Sequence, residues 1–203
     1  MSKKRTAILI SGRGSNMRSL IGAAADPEFP AEIALVISNV ETAPGLAFAA
    51  DAGIATRAIP HQPFATREAF DRAVDEALAA AGIEIVCLAG FMRILSEWFA
   101  RRWEGRLLNI HPSLLPLFKG VHVHEQALAA GVRVSGCTVH FVVPELDAGP
   151  IIAQAAVPVE TGDTPESLAA RVLVEEHKLY PAALKLLAEG RVRLQGGRAV
   201  FMR

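Results

Sequence analysis

The sequence predicts an α/β fold on a mostly parallel twisted sheet, with helices on both faces and antiparallel strands toward the C-terminal part. Short apolar runs alternate with longer amphipathic segments over the first two thirds of the 203 residues, a pattern typical of a parallel sheet covered on both sides. Farther along, the alternating runs 132–143 and 151–157 are joined by a loop instead of a helix. That connection is typical of antiparallel strands.

The first half of the chain predicts strands and helices in alternation. Its apolar runs predict five strands, at 6–10, 33–37, 54–59, 83–88 and 106–110. Amphipathic or capped segments between them predict helices at 15–25, 44–52 and 67–81, and a short helix after Ser96. The run 83–88 is the most apolar, so we expect it at the centre of the sheet.

The chain changes character after residue 110. Residues 111–124 are rich in proline, histidine and glycine, which predicts a long ordered loop instead of a helix. Pro165 suits the first turn of a helix that runs to about residue 187 and ends near Gly190. Pro181 should kink or split that helix. A last strand is predicted at 191–194.

The composition excludes several classes of protein. With 51% hydrophobic and 21% charged residues, the chain can bury a core and is not disordered. Lys+Arg and Asp+Glu are equal at 21 each, so no net basic field attracts a nucleic acid. Cys87 and Cys137 lie far apart in apolar runs, which predicts no disulfide framework and a reducing, cytoplasmic location. Neither a signal peptide nor a membrane span is expected.

The turn after the first strand predicts an anion site. Residues 10–16 lead from a strand through two glycines into a helix, so unpaired amides and the positive helix end face whatever binds there. Phosphate is the ligand that best fits such a site. Met17 occupies the third glycine position of the dinucleotide fingerprint and no acid follows the second strand, which disfavours a nicotinamide cofactor. The alternative is an ordinary tight turn in which Ser15 caps the helix.

Asn109 and His111 end the fifth strand two residues apart, so both side chains can project to one side. An amide beside an imidazole suits a reaction in which a carbonyl becomes an oxyanion. Asp147, in the loop between the later strands, would favour the imidazolium if the fold brings it beside His111. The alternatives are local backbone bonding by Asn109, a loop-shaping His111 and a turn-forming Asp147.

Other polar residues give weaker signals. His122, His124 and Glu125 lack a third locally spaced ligand, so we favour loop or pocket histidines over a metal site. Cys137 and His140 fall on opposite faces of their strand, which favours packing over a thiol nucleophile. Glu176 lies within the apolar stripe of the late helix, either at its wet edge or facing a ligand.

Four segments, in chain order, resemble the folate-dependent formyltransferases. They are ISGRGSN at 10–16, LAGFMRIL at 88–95, NIHPSLLP at 109–116 and ELDAGP at 145–150. The third is specific to folate-dependent formyltransferases and their relatives, and the Gly-Ser-Asn turn points to the phosphoribosylglycinamide formyltransferases among them. The resemblance runs from about Thr6 to Gly190.

The resemblance implies a reaction and a set of site residues. A formyl group would pass directly from the co-substrate 10-formyltetrahydrofolate to the amine of phosphoribosylglycinamide, with no metal. The catalytic residues would be Asn109, His111 and Asp147. Those that bind the ribonucleotide would be Gly14, Ser15, Asn16, Leu173, Val174, Glu175 and Glu176. Those that hold the folate would be Arg67, Met92, Arg93, Ile94, Leu95, Asn109, Val143, Pro144, Glu145, Leu146 and Asp147.

The resemblance also implies a single formyltransferase domain, with a Rossmann-like nucleotide-binding half at 1–110 and a folate-binding, catalytic half at 111–203. Only small molecules are expected as partners, with no nucleic acid or membrane, and the protein would be a monomer or homodimer. Three residues depart from the family pattern: Arg13 and Lys119, and Leu173, which replaces a polar residue. Arg13 could add charge to the phosphate site.

Several rival functions remain open at this point. A formyltetrahydrofolate hydrolase or a methionyl-tRNA formyltransferase would use similar groups, although both families carry a further domain that 203 residues do not accommodate. A non-catalytic nucleotide-binding module would need the phosphate turn but not Asn109, His111 and Asp147 together.

Overall fold

A seven-stranded sheet in the order β3-β2-β1-β4-β5-β6-β7 runs through the centre of the protein. The structure is a computed structural model that describes residues 2–202. The strands are β1 (Lys4–Ile10), β2 (Ala31–Ser38), β3 (Ala55–Ala58), β4 (Ile85–Leu88), β5 (Leu107–His111), β6 (Val134–Phe141), β7 (Ile151–Pro158), β8 (Val192–Gln195) and β9 (Arg198–Phe201). The helices are α1 (Ser15–Ala24), α2 (Pro44–Asp51), α3 (Arg67–Ala80), α4 (Glu97–Arg102), α5 (Val123–Ala129) and α6 (Pro165–Ala188).

The sheet is parallel from β3 to β5 and antiparallel from β5 to β7. This arrangement confirms the predicted fold class. Asn109 pairs with His140 in the β5–β6 register. The antiparallel pairing therefore brings two segments that are 31 residues apart in the chain to one edge of the site.

Helices cover both faces because successive strand residues point to opposite sides. In β1, Ile8 and Ile10 pack with residues of α1, α2 and α6, whereas Ala7 and Leu9 pack with residues of α3 and α4. A third apolar cluster joins α5, β6 and the first turns of α6. No helix within residues 2–202 has the length and apolar character needed to cross a membrane.

The strand order reverses between β1 and β4, because the chain proceeds outward from β1 in both directions. Open α/β sheets bind ligands at such a switch point, beyond the carboxyl ends of the strands. The turn after β1 and the segment after β4 both start there. We therefore expect the functional site at this end of the sheet.

Some predicted elements differ from the observed ones. The sequence analysis missed α5, which begins at Val123 within the predicted loop, and also β9, which pairs with β8 as a hairpin. Both are short, so their periodicity is weak. The predicted split of the late helix is wrong: α6 continues through Pro181. Strands β3, β4 and β6 are shorter than predicted because their outermost residues lie beyond the paired register.

Candidate active site

A cleft of about 720 Å³ opens beyond the carboxyl ends of β4 and β5, a size suited to an organic ligand. We call it the main cleft. Its walls come from the segments 90–95, 109–112, 120–125 and 142–147, together with His140 from β6. The main cleft thus contains ten of the eleven predicted folate residues. Arg67 is the exception, because it lies exposed at the start of α3 and does not line the cleft.

The three predicted catalytic residues lie together on one wall of the main cleft. Asp147 Oδ2 is 3.6 Å from His111 Nδ1, and Asp147 Oδ1 is 3.9 Å from His140 Nε2. His140 Nε2 is in turn 3.3 Å from Asn109 Nδ2. His111, Asp147 and His140 are buried, so their charges and hydrogen bonds act with little screening by water.

His140 is a functional candidate that the sequence analysis assigned to packing. Its Nδ1 donates to the Phe141 carbonyl oxygen at 2.8 Å, and burial lowers its pKa. The neutral ring therefore presents an unprotonated Nε2, which accepts from Asn109 Nδ2. This bond fixes which way the Asn109 amide points and leaves its second N–H without a partner among residues 2–202. The assignment to packing is wrong because the β5–β6 register, unknown from sequence, sets this contact.

Both ring nitrogens of His111 face groups of the protein. Its Nε2 donates to the Phe118 carbonyl oxygen at 2.8 Å, and its Nδ1 faces Asp147. Phe118 has a φ of 53°, in the left-handed region that is strained for a non-glycine residue. For His111 Nε2 to donate to a bound ligand, the Phe118 carbonyl must move away.

The loop that carries Asp147 is held by close backbone contacts. Asp147 has a φ of 48°, and its Oδ2 accepts from Gly120 N at 2.9 Å. A Cβ at Gly149 would collide with the Phe141 carbonyl oxygen, so only glycine fits there. The loop is thereby pressed against β6, which holds the Asp147 carboxylate beside both histidines.

A second cavity of about 250 Å³, which we call the turn cavity, is lined by Ser11–Asn16 and by Ala89, Gly90 and Met92. Gly14 is the helix N-cap with a φ of 68°, and a Cβ there would lie 3.0 Å from Met17 Cε. The alternative interpretation, in which Ser15 caps α1, is wrong, since Ser15 is the first helical residue. No side chain caps this end and no acid lies in the first turn, so its amides can serve an anion.

Asn16 and Glu176 connect the turn cavity to α6. Asn16 Nδ2 donates to Glu176 Oε2 at 2.9 Å, and Asn16 Oδ1 is buried without a partner among residues 2–202. Glu176 is only 6% exposed, so its placement at the wet edge of the helix is wrong. Burial raises its pKa, while the Asn16 bond opposes the rise. None of the four predicted residues of α6, Leu173, Val174, Glu175 and Glu176, lines either cavity, and Glu176 reaches the turn cavity only through its bond to Asn16.

The two cavities meet at Gly90 and Met92, which line both. Ser11 holds this shared wall, because its hydroxyl accepts from Met92 N at 2.7 Å and its own N–H donates to the Gly90 carbonyl oxygen at 3.0 Å. A ligand in the main cleft and a ligand in the turn cavity would therefore lie side by side.

The histidines of the segment 120–125 form no metal cluster. His122 Nδ1 lies 3.3 Å from Glu125 Oε1 at the exposed rim, while burial lowers the pKa of His124. Within residues 2–202, no group of three or more His, Cys, Asp or Glu side chains could hold a metal ion.

Residues 4–184, most of the chain, match the protein family described as formyl transferase. The chain belongs to the formyl transferase family. This formyl transferase is 46% identical over 187 residues to phosphoribosylglycinamide formyltransferase of Escherichia coli, covering 92% of this chain and 88% of the relative. It is 56% identical over 201 residues, 98% of this chain, to the trifunctional purine biosynthetic protein adenosine-3 of Bos taurus. The chain spans only 20% of the length of that relative.

Solved structures support the same family. Glycinamide ribonucleotide transformylase 1 from Symbiobacterium toebii matches this formyl transferase with a TM-score of 0.96 at 45% identity, covering 99% of this chain and 95% of that one. A formyltetrahydrofolate deformylase from Pseudomonas syringae matches with a TM-score of 0.91 at 29% identity, covering 100% of this chain and 67% of that one. The resemblance seen in the four sequence segments is therefore confirmed.

Proposed function

We propose that this formyl transferase moves a formyl group from 10-formyltetrahydrofolate to the amine of phosphoribosylglycinamide, a step of purine biosynthesis. The observation that carries the proposal is the wall shared by the two cavities at Gly90 and Met92. Because a direct transfer requires both substrates at once, adjacent sites of different character are what the reaction needs. The names of the relatives support the acceptor, and the deformylase neighbour supports a folate donor.

The main cleft suits the folate. Exposed apolar side chains line it, including Met92, Ile94 and Leu146. The backbone groups of Arg93, Ile94 and Leu95 form no hydrogen bonds within residues 2–202, so they are free for the edge of a planar heterocycle. Arg67 lies outside the cleft wall and is the least supported of the proposed folate contacts.

The turn cavity suits the phosphate of the ribonucleotide. The uncapped amides of α1, the free hydroxyl of Ser15 and the nearby Arg13 are all complementary to an anion. Glu176 does not line the cavity, but it is bonded to Asn16, which does, and the two side chains offer acceptors for sugar hydroxyls beside that phosphate. Leu173, Val174 and Glu175 would contact the ribonucleotide only through a rearrangement, because they do not line the cavity.

In the proposed reaction the neutral amine attacks the formyl carbon, and a C–N bond forms while the carbonyl π electrons move to oxygen. The free N–H of Asn109 donates to that oxyanion. Collapse of the tetrahedral intermediate breaks the bond to the folate nitrogen, and the proton lost by the amine ends on that nitrogen. No covalent intermediate with the protein forms.

His111 and Asp147 complete the proposed charge balance. The Asp147 carboxylate, 3.6 Å from His111 Nδ1, stabilises positive charge on the ring. The protonated ring can then donate from Nε2 to the oxyanion once the Phe118 carbonyl has moved away. We therefore propose that substrate binding displaces Phe118 from His111.

The proposed setting is the cytoplasm, with small molecules as the only partners and a monomer or homodimer as the active form. Both cysteines, Cys87 and Cys137, are buried and free, which fits a reducing compartment.

A spectrophotometric assay tests the proposal against its nearest rival. Purified protein is incubated with 10-formyltetrahydrofolate, with and without phosphoribosylglycinamide, and formation of tetrahydrofolate is followed. We expect consumption of the folate only when the amine is present. Consumption without the amine would identify a hydrolase, as the deformylase neighbour's name suggests for that protein. Ribonucleotide binding with no consumption would identify a non-catalytic module.

A further inference from the structure

The segment 92–96 connects β4 to α4 without regular secondary structure, although it forms a wall of the main cleft. Two side-chain contacts fasten its backbone. At one end Met92 N donates to Ser11 Oγ, and at the other Ser96 N donates to Asp71 Oδ2 at 2.6 Å. Between these two bonds the backbone of residues 93–95 forms no hydrogen bond within residues 2–202. These two bonds therefore fix the ends of the free segment.

Asp71 lies on α3, behind the cleft wall, and lines neither cavity. It is 1% exposed, and its Oδ1 has no partner among residues 2–202. A buried carboxylate that accepts one bond is costly for the fold. Burial accordingly raises its pKa, although Ser96 and the charges of Arg67 and Arg93 oppose the rise.

The docking of α4 does not explain this carboxylate. Helix α4 is already attached to α3 one turn further on, where Asp75 Oδ1 accepts from Trp103 Nε1 at 2.8 Å. Phe99 and Trp103 are also buried in the apolar cluster on this face. A second carboxylate is thus not needed to dock the helix, and its bond to Ser96, the N-cap of α4, also fixes the end of the segment that precedes the helix.

We propose that Asp71 is a positioning residue for the formyl donor, because its bond to Ser96 N fixes the cleft segment whose free backbone groups receive the folate. This inference rests on the proposed function. Ser11 fastens the opposite end but also borders the turn cavity, so its loss would affect both substrates. The loss of Asp71 would affect the donor alone.

Steady-state kinetics with four variants test this role. D71L keeps the branched shape of the side chain without an acceptor, and D71A removes the side chain beyond Cβ. D71N keeps an oxygen that can accept from Ser96 N. D75N is the matched control, since it changes the carboxylate one turn along α3 that does not touch the segment.

In D71L and D71A we expect the KM for 10-formyltetrahydrofolate to rise about 10- to 100-fold, the range for losing a hydrogen bond to a charged group. The turnover number at saturation and the KM for the amine substrate should stay within about threefold of the wild type. D71N should recover most of the donor KM, and D75N should match the wild type.

Calorimetric titration with tetrahydrofolate, the product, separates this inference from the proposed function. It reports folate affinity without turnover, so it decides the role of Asp71 even if the wild type transfers no formyl group. We expect the same loss of affinity in D71L and D71A.

An unchanged folate affinity in a folded D71L or D71A variant would overturn the proposal. Equal increases in the KM values of both substrates would also overturn it, because they indicate a structural role. If neither variant folds, Asp71 serves the core instead of the cleft and the proposal is wrong.

Discussion

The turn cavity takes its residues 11–16 from one uninterrupted stretch of chain, whereas the main cleft collects its polar wall from β5, β6 and two distant loops. The first is small and consists largely of backbone amides at a helix end. The second is nearly three times larger and contains a buried group of Asn109, His111, His140 and Asp147. Backbone geometry thus forms the proposed anion site, and long-range strand pairing assembles the proposed catalytic group.

This contrast predicts different kinetic consequences for damage to each cavity. Changes on the catalytic wall of the main cleft should lower turnover, because its side chains are proposed to act on the reacting carbonyl. Changes at the turn cavity should weaken ribonucleotide binding and leave the chemical step intact. Four variants test this division.

Asn109→Ala should have the largest effect on catalysis. It removes the amide N–H that donates to the oxyanion, and the loss of one such donor lowers turnover about 10²- to 10³-fold. The KM for the ribonucleotide should change little, because Asn109 does not line the turn cavity. Steady-state kinetics on the folded variant checks both values. Near-normal turnover would show that Asn109 has been assigned the wrong role.

Gly149→Ala should damage the catalytic wall through the backbone. The added methyl group collides with the Phe141 carbonyl oxygen and lies 3.3 Å from His140 Nδ1. We expect a loss of about 1–3 kcal/mol in the free energy of unfolding, typical of overpacking, together with lower turnover as Asp147 shifts. Denaturant unfolding and kinetics measure the two effects. A variant that retains both stability and turnover would contradict the close approach of this loop to β6.

Glu176→Gln should raise the KM for the ribonucleotide about tenfold, since a neutral amide is a weaker acceptor for the sugar hydroxyls. Turnover at saturation should stay near normal. A larger change in turnover than in KM would place Glu176 with the catalytic residues instead.

The free energy of unfolding of Glu176→Gln should also depend on pH differently from that of the wild type. The raised pKa of Glu176 means that the stability contributed by its protonated form is lost as the pH rises through that pKa. Glutamine does not titrate, so the variant should gain stability relative to the wild type as the pH rises from about 4.5, the ordinary pKa of glutamate, toward neutrality. Denaturant unfolding across that range checks the sign. Parallel curves would show that Glu176 is not perturbed by burial.

Arg13→Ala should have the smallest effect. Arg13 is exposed, so we expect the KM for the ribonucleotide to rise about two- to fivefold at low salt. Because salt screens exposed charges, the difference should shrink as the ionic strength rises. Arg18→Ala is a suitable control, since Arg18 lies on α1 just after the turn that carries Arg13, stacks over Phe48 and does not line the cavity. Equal effects of the two variants would exclude a specific phosphate contact for Arg13.

Local sequence was sufficient for most of the fold. The strands β1, β2 and β5 and the helices α2 and α3 follow from apolar periodicity and caps, such as Thr66, whose hydroxyl accepts from Ala69 N. The missed helix α5 has seven residues and follows the N-cap His122, whose left-handed φ of 57° no propensity rule anticipates. Pro181 does not end α6 because the flanking Tyr180 and Ala183 are fully buried and hold the helix against the sheet.

The two cavities differ in the same way in how far local sequence predicts them. The turn cavity was predictable because its strand, glycines and helix are contiguous. The contacts of His140, Glu176 and Asp71 were not predictable from the residues themselves, because each depends on a partner 25 or more residues away: Asn109, Asn16 and Ser96. The family resemblance alone implied a ribonucleotide-binding role for Glu176. Such contacts are set by strand register and helix packing. The meeting of Asn109, His111 and Asp147 was expected only from the family resemblance.

The account depends on direct passage of the formyl group between ligands in two adjoining cavities. The most direct test supplies 10-formyltetrahydrofolate labelled with ¹³C in the formyl carbon, together with phosphoribosylglycinamide, and follows the label by NMR. We predict that the label moves from the folate to an amide of the ribonucleotide, with no formate formed. Release of the label as formate while the ribonucleotide stays unlabelled would contradict the account.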